Sequence, residues 1–191
     1  MADACSKDQP DEERVSAGSL FREHAEFVAR FLQRLGAPPA ELDDWVQEVF
    51  VVAHRKGGYV PGPARPRSWL GAIALHVAQA GRRSWARRTQ PDTPQVDAAQ
   101  AEGSDPAETL EHRRSLERVQ RALDQLPMEQ RAAFILYELD GESCESIAAV
   151  WGVPVGTVYS RLHQARQRFL KGYRALTQRG TPVRLRPLEE R

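Results

Sequence analysis

Residues 150–169, VWGVPVGTVYSRLHQARQRF, decide how this chain is read. A Gly-Val-Pro break divides two apolar-periodic segments, and the segment after it fills its final positions mainly with Arg, His and Gln. Just upstream, Ser143 offers an N-cap for CESIAAVW (144–151), Gly152 breaks that short helix, and Pro154 is able to open the next one at its first turn. Ile147, Ala148, Trp151, Val153, Val158 and Leu162 then form a small core that holds two short helices at a steep angle, the helix-turn-helix arrangement. The turn lets the second helix stand proud of its support and enter a major groove. Its stock of side chains for phosphates and base edges is Arg161, His163, Gln164, Arg166 and Arg168, with Thr157, Tyr159 and Ser160 near its start. Gly156 removes a side chain where backbone would approach phosphate. The competing reading is a helical hairpin with a solvated cationic face.

Working outward, periodicity reads as helix nearly throughout. Leu110, Leu116, Val119, Leu123 and Leu126 support one helix, although Leu116 fits the stripe less well; Ala132, Ala133, Ile135, Leu136 and Leu139 support another, ended by Asp140-Gly141. Toward the N-terminus, apolar residues recur from Ser16 to Leu35 until Gly36. A second stripe of Leu42, Trp45, Val46, Val49, Phe50 and Ala53 ends at Gly57-Gly58. A third helix runs from about Arg67 to Arg88, and the loop GGYVPGPARP (57–66) precedes it. Residues 89–108 contain three prolines, no aromatic and one sizeable aliphatic, Val96, too little to order themselves. The expected fold class is therefore all-α, two small helical domains joined by a flexible linker, the C-terminal one containing the helix-turn-helix. Its expected parts are an acidic disordered tail (1–15), a helical domain (16–88), a linker (89–108), a second helical domain (109–175) and a C-terminal tail (176–191).

Charge is segregated along the chain. Residues 1–50 carry 5 basic and 11 acidic side chains, 51–90 carry 8 and 0, 91–150 carry 5 and 13, and 151–191 carry 9 and 2, although the whole nets only +1. Two separate positive surfaces suit a polyanion touched at two places. At 41% hydrophobic and 28% charged the composition is that of a globular protein, with no apolar run long enough for a membrane span and no apolar core in the acidic N-terminus, so a cytoplasmic location is expected. Cys5 and Cys144 are far apart with no CxxC partner, and His24, His54, His76, His112 and His163 form no ligand pair, so neither a metal nor a cofactor is indicated. No phosphate loop or nucleophile elbow points to an enzyme.

These residues carry a resemblance. LPMEQRAAFILYELDGESCESIAAVWGVPVGTVYSRLHQARQRF (126–169) resembles the C-terminal DNA-binding region of the sigma-70 family; DDWVQEVFVVAH (43–54) followed by RSWLGAIALHVAQAGRR (67–83) resembles its N-terminal core region. Both regions in that order, with no extra domain, resemble the extracytoplasmic-function (ECF) sigma factors. The resemblance implies a transcription initiation factor that binds core RNA polymerase, directs it to promoters and helps to melt them, catalysing nothing itself. It also implies an anti-sigma partner, which would hold the protein at the membrane if that partner is membrane-bound.

By the same resemblance, Asp43, Asp44, Gln47 and Glu48 would face the polymerase; they fall on a polar face opposite Val46, Val49 and Phe50, which otherwise reads as a solubilising surface. The loop and third helix would handle the minus-ten element, with Tyr59, Arg65 and Arg67 as stacking and phosphate groups. Trp85 lies among Arg82, Arg83, Arg87 and Arg88, an interleaving that suits melting DNA, although a half-buried Trp finishing the apolar stripe explains it equally. The recognition helix would read the minus-thirty-five element through Thr157, Ser160, Arg161, Gln164 and Arg166, with Arg168 and Lys171 on phosphate. One departure stands out: the family usually has Glu where this chain has Ser146, so a capping box is not closed there. The alternative function is a helix-turn-helix regulator that binds DNA without polymerase, but it leaves residues 19–88 unexplained.

Overall fold

The computed structural model describes residues 14–88 and 106–177, and these are helical apart from short connections and one antiparallel bridge between Val15 and Tyr59. Helix α1 (Ala17–Arg34) starts where Ser16 Oγ accepts the amide of Ser19, the cap its sequence offers. Pro38 and Pro39 enter a single 3₁₀ turn (Pro39–Glu41) that runs into α2 (Leu42–Arg55). Proline's fixed φ suits such an entry, and its missing N–H costs nothing there. Helix α3 (Pro66–Arg88) completes the first module. Trp45, Val49, Phe50 and Ala53 of α2 are buried against Phe27, Phe31 and Leu32 of α1 and Leu70, Ile73 and Ala74 of α3.

The second module is α4 (Pro106–Asp124), α5 (Met128–Phe134), which widens into a π-helical turn over Ile135–Leu139, α6 (Cys144–Trp151) and α7 (Val155–Leu176). Leu116 is exposed, in line with its poor fit to the stripe. Between α6 and α7, Gly152 adopts φ +63°, a left-handed C-cap that a side chain would strain, and the chain turns through Pro154 into α7. Ser143 Oγ accepts the amide of Ser146, so α6 is capped without the family's Glu.

The two modules are not held apart. Their buried side chains form one apolar cluster, and α3 packs on both α5 and α6. The expected boundaries shift accordingly: Arg14 and Val15 belong to the folded part, Val15 through its bridge to Tyr59, α4 begins at Pro106 rather than at 109, and α7 ends at Leu176. Residues 1–13, 89–105 and 178–191, on which most of both expected tails and of the linker fall, lie outside the described residues. Among the described residues no helix is long and apolar enough to cross a membrane, and no His, Cys, Asp and Glu cluster could hold a metal.

Candidate nucleic-acid interface

Along α7 the expected readers divide into two sets. Ser160, Gln164, Arg168 and Lys171 are exposed on one side of the helix, Thr157 is half-buried beside them, and Val158, Leu162, Ala165 and Phe169 are buried on the other. Ser160 Oγ donates to the Thr157 carbonyl, which leaves the exposed hydroxyl oxygen as an acceptor. Gly156 is exposed with nothing near the place a Cβ would occupy, so the start of α7 is open to a close-approaching backbone.

Two arginines depart from the expectation. Arg166 is bound to Glu138, 2.6 Å away and itself almost wholly buried, and its guanidinium lies over the Tyr137 ring. A cation committed in this way anchors α7 to the π-helical turn, which corrects its assignment as a base reader. Arg161 pairs with Glu129 at 2.6 Å and covers the Trp151 ring, 5.4 Å from its centroid. It retains partial exposure, so it joins α7 to α5 and α6 while staying at the edge of the surface. Sequence reasoning missed both carboxylate partners, because Glu129 and Glu138 lie on a different helix from the arginines they meet.

In the first module, Tyr59 is corrected as well. It is buried, its hydroxyl donates to the Ala64 carbonyl, its backbone pairs with Val15, and its ring meets Trp69 edge-on. Tyr59 therefore shapes the 57–66 loop from inside and is not available to stack on a base. Arg65 and Arg67 are exposed at the loop's end, with the Arg67 guanidinium over Phe27. Arg82, Arg83 and Arg87 are exposed at the far end of α3, where Trp85 is half-buried; the side chain of Arg88 lies outside the described residues. Exposed cations are thus grouped at both ends of α3.

Asp43, Asp44, Gln47 and Glu48 all project from the exposed face of α2. Behind that face Trp45 and Val52 join Ile73, Val77 and Ala80 of α3 in an open apolar groove with Glu48 at its rim. Gly81 makes the groove's floor possible, since a Cβ there would lie 2.3 Å from the Trp45 ring.

A polar contact between the modules was not legible in the sequence, although the Ser146 departure marks its place. The Arg65 amide donates to Ser146 Oγ at 2.8 Å, Ser146 donates to Ser68 Oγ at 2.7 Å, and Ser68 donates to Glu142 at 2.6 Å, with all three side chains buried. Each hydroxyl both accepts and donates, and the chain ends on an acceptor. Nearby, Asp140 pairs with Arg34 across the modules at 3.5 Å. Burial pushes the Asp140 carboxyl above the usual carboxylate range, against the opposing pull of Arg34, Arg67 and Arg30. Arg131, buried in α5, donates to the Leu35 carbonyl at the end of α1 and pairs with Asp124; burial lowers its pKa while Asp124 opposes the change.

The comparisons with known proteins cover both modules. Residues 20–89 match the family model of sigma-70 region 2, and residues 116–169 match that of sigma-70, region 4. The chain is 35% identical over 158 residues to the ECF RNA polymerase sigma factor SigE of Mycolicibacterium smegmatis, a match that covers 82% of this chain and 60% of that relative's length. It is 34% identical over 153 residues to the ECF RNA polymerase sigma-E factor of Escherichia coli K12, covering 75% of this chain and 76% of the relative. Among solved structures it is similar to the sigma factor RpoE in complex with the anti-sigma factor NepR from Bartonella quintana, with a TM-score of 0.61, 24% identity and coverage of 80% and 92%. It is also similar to CnrH in complex with the cytosolic domain of CnrY, with a TM-score of 0.58, 26% identity and coverage of 83% and 88%.

Proposed function

The chain belongs to the ECF sigma factors of the sigma-70 family, and from this we infer that it is a transcription initiation factor, one that binds core RNA polymerase and directs it to promoters. A transcription factor of this kind works in the cytoplasm, where polymerase and chromosome meet, and performs no catalysis of its own. The observation that carries the reading is the pairing of two features in one chain: the acidic exposed face of α2, and the cationic exposed face of α7 behind a helix-turn-helix. A stand-alone DNA-binding regulator needs only the second.

On this reading, Asp43, Asp44, Gln47 and Glu48 contact the polymerase, and the apolar groove behind them receives part of the same partner. Ser160 and Gln164 reach base edges of the minus-thirty-five duplex, with Arg168 and Lys171 on phosphate and Thr157 and Arg161 at the margin. Arg65, Arg67, Arg82, Arg83 and Arg87 take the backbone of the minus-ten region, with Trp85 beside the melting strand. An anti-sigma partner would compete for these faces and, if itself membrane-bound, would hold the protein at the membrane.

The test is binding of the purified protein to core RNA polymerase without DNA, followed by fluorescence anisotropy. Replacing Asp44 and Glu48 together by Ala should weaken it about tenfold or more if both charges meet cationic partners at a desolvated interface. The helix should survive, because both side chains are exposed. Absence of saturable binding by the wild-type protein would instead favour the stand-alone regulator.

A further inference from the structure

Three side chains link α5 to the exposed face of α7. Arg168 Nη1 donates to Gln130 Oε1 at 2.9 Å, and Gln130 Nε2 donates to Gln164 Oε1 at 2.8 Å. The order is dictated by chemistry. A guanidinium has donors only, so Gln130 must turn its oxygen toward Arg168. Its NH2 group then faces Gln164, and Gln164 must answer with its own oxygen. Gln164 Nε2 makes no hydrogen bond to another described residue, and the side chain is exposed in the middle of the recognition helix.

We propose that Gln130 is a positioning residue for base recognition, which holds the Gln164 amide with its oxygen turned to α5 and its NH2 leading into the groove. This rests on the reading of α7 as the minus-thirty-five helix. An unrestrained glutamine lays oxygen and nitrogen side by side on adenine N6 and N7. With the oxygen turned to α5, that paired presentation is lost and the amide offers donors. Its complement is an acceptor with no donor beside it, guanine O6 and N7 or thymine O4, whereas adenine N7 adjoins the N6 donor. The relay thereby converts an ambivalent side chain into a one-sided probe, and the residue that does so is on a different helix from the one in the groove.

The test uses the full-length protein with core RNA polymerase, selecting promoter fragments from a library with the upstream element randomised. Gln164→Ala should relax preference at one base pair, and wild type should favour guanine or thymine there. Gln130→Ala should let adenine rise at that position by about fivefold or more, the lower range of one base-edge contact. Gln130→Glu should go further. Its carboxylate accepts from both Arg168 and the Gln164 NH2, which turns the Gln164 oxygen outward and moves preference at the same base pair to the donors of adenine N6 or cytosine N4. The added negative charge lowers binding to all sequences alike, so relative preference is unaffected by it. A Glu in the first turn of α5 also suits the helix dipole, so the fold is kept.

If Gln164→Ala shifts a position that both Gln130 substitutions leave alone, the relay is overturned while the reading of α7 stands. Wild-type enrichment of adenine at that position, or no position moved by Gln164→Ala, overturns it too. If no element is enriched at all, it is the promoter-binding reading that fails.

Discussion

Single residues in this chain take their roles from partners that sequence distance hides. Arg166 and Arg161 belong to the same cationic run as Arg168, but the first two meet Glu138 and Glu129, and Arg168 meets an uncharged amide at the surface. Charge alone does not separate them. Asp140 shows the same point for an acid: burial, the largest influence, raises its pKa despite three nearby arginines. The native state then holds a proton that the unfolded chain releases, so this group's contribution to stability falls as pH rises from the ordinary carboxylate pKa of about 4. Asp140→Asn removes that dependence. Urea denaturation from pH 4 to pH 7 should show the wild type losing stability relative to the variant as pH rises; the opposite slope would mean that Arg34 governs the carboxylate.

At the scale of elements, local chemistry was largely legible. Ser16 and Ser143 cap the helices they precede, and Gly152 turns α6 into α7, because each acts on backbone groups within a few residues. The end of α1 was not legible in full. Gly36 stops it, but the carbonyl of its C-cap residue, Leu35, is satisfied by Arg131 from α5, 96 residues away. Arg131→Met should keep the apolar stem in the core while leaving the Leu35 carbonyl without this partner. The expected loss is about 1–3 kcal/mol in chemical denaturation, with faster amide exchange in the last turn of α1. Unchanged exchange there would show that the cap contributes nothing.

For the whole molecule, the close packing of α3 on α5 and α6 bears on promoter binding. Elements at minus ten and minus thirty-five are about 25 base pairs apart, or about 85 Å along duplex DNA. Modules packed together through the Ser68, Ser146 and Glu142 contact make a body about 40 Å across by the usual size scaling of compact domains, which falls short of both elements at once. The 17 residues between Arg88 and Pro106 reach at most about 60 Å when extended, which, added to the modules' own dimensions, accommodates separation. Fluorophores placed at exposed Glu23 of α1 and Arg174 of α7, outside the proposed contact faces, should therefore show reduced energy transfer when core polymerase binds. Ser68→Ala with Ser146→Ala should lower transfer in the unbound protein as well. Unchanged transfer in the promoter-bound complex would exclude opening.

The sequence by itself determined the all-helical class, the two modules in their order, the helix-turn-helix and the exposed acidic face of α2. Those features depend on periodicity, caps and turns, which act over a few residues. Tertiary structure alone decided that the modules share a core, that Tyr59 points inward, that Arg166 is an anchor, and that Gln130 stands beside Gln164. Each of these depends on a partner from another helix, brought within reach only when apolar faces are buried together, and no spacing within one helix encodes it.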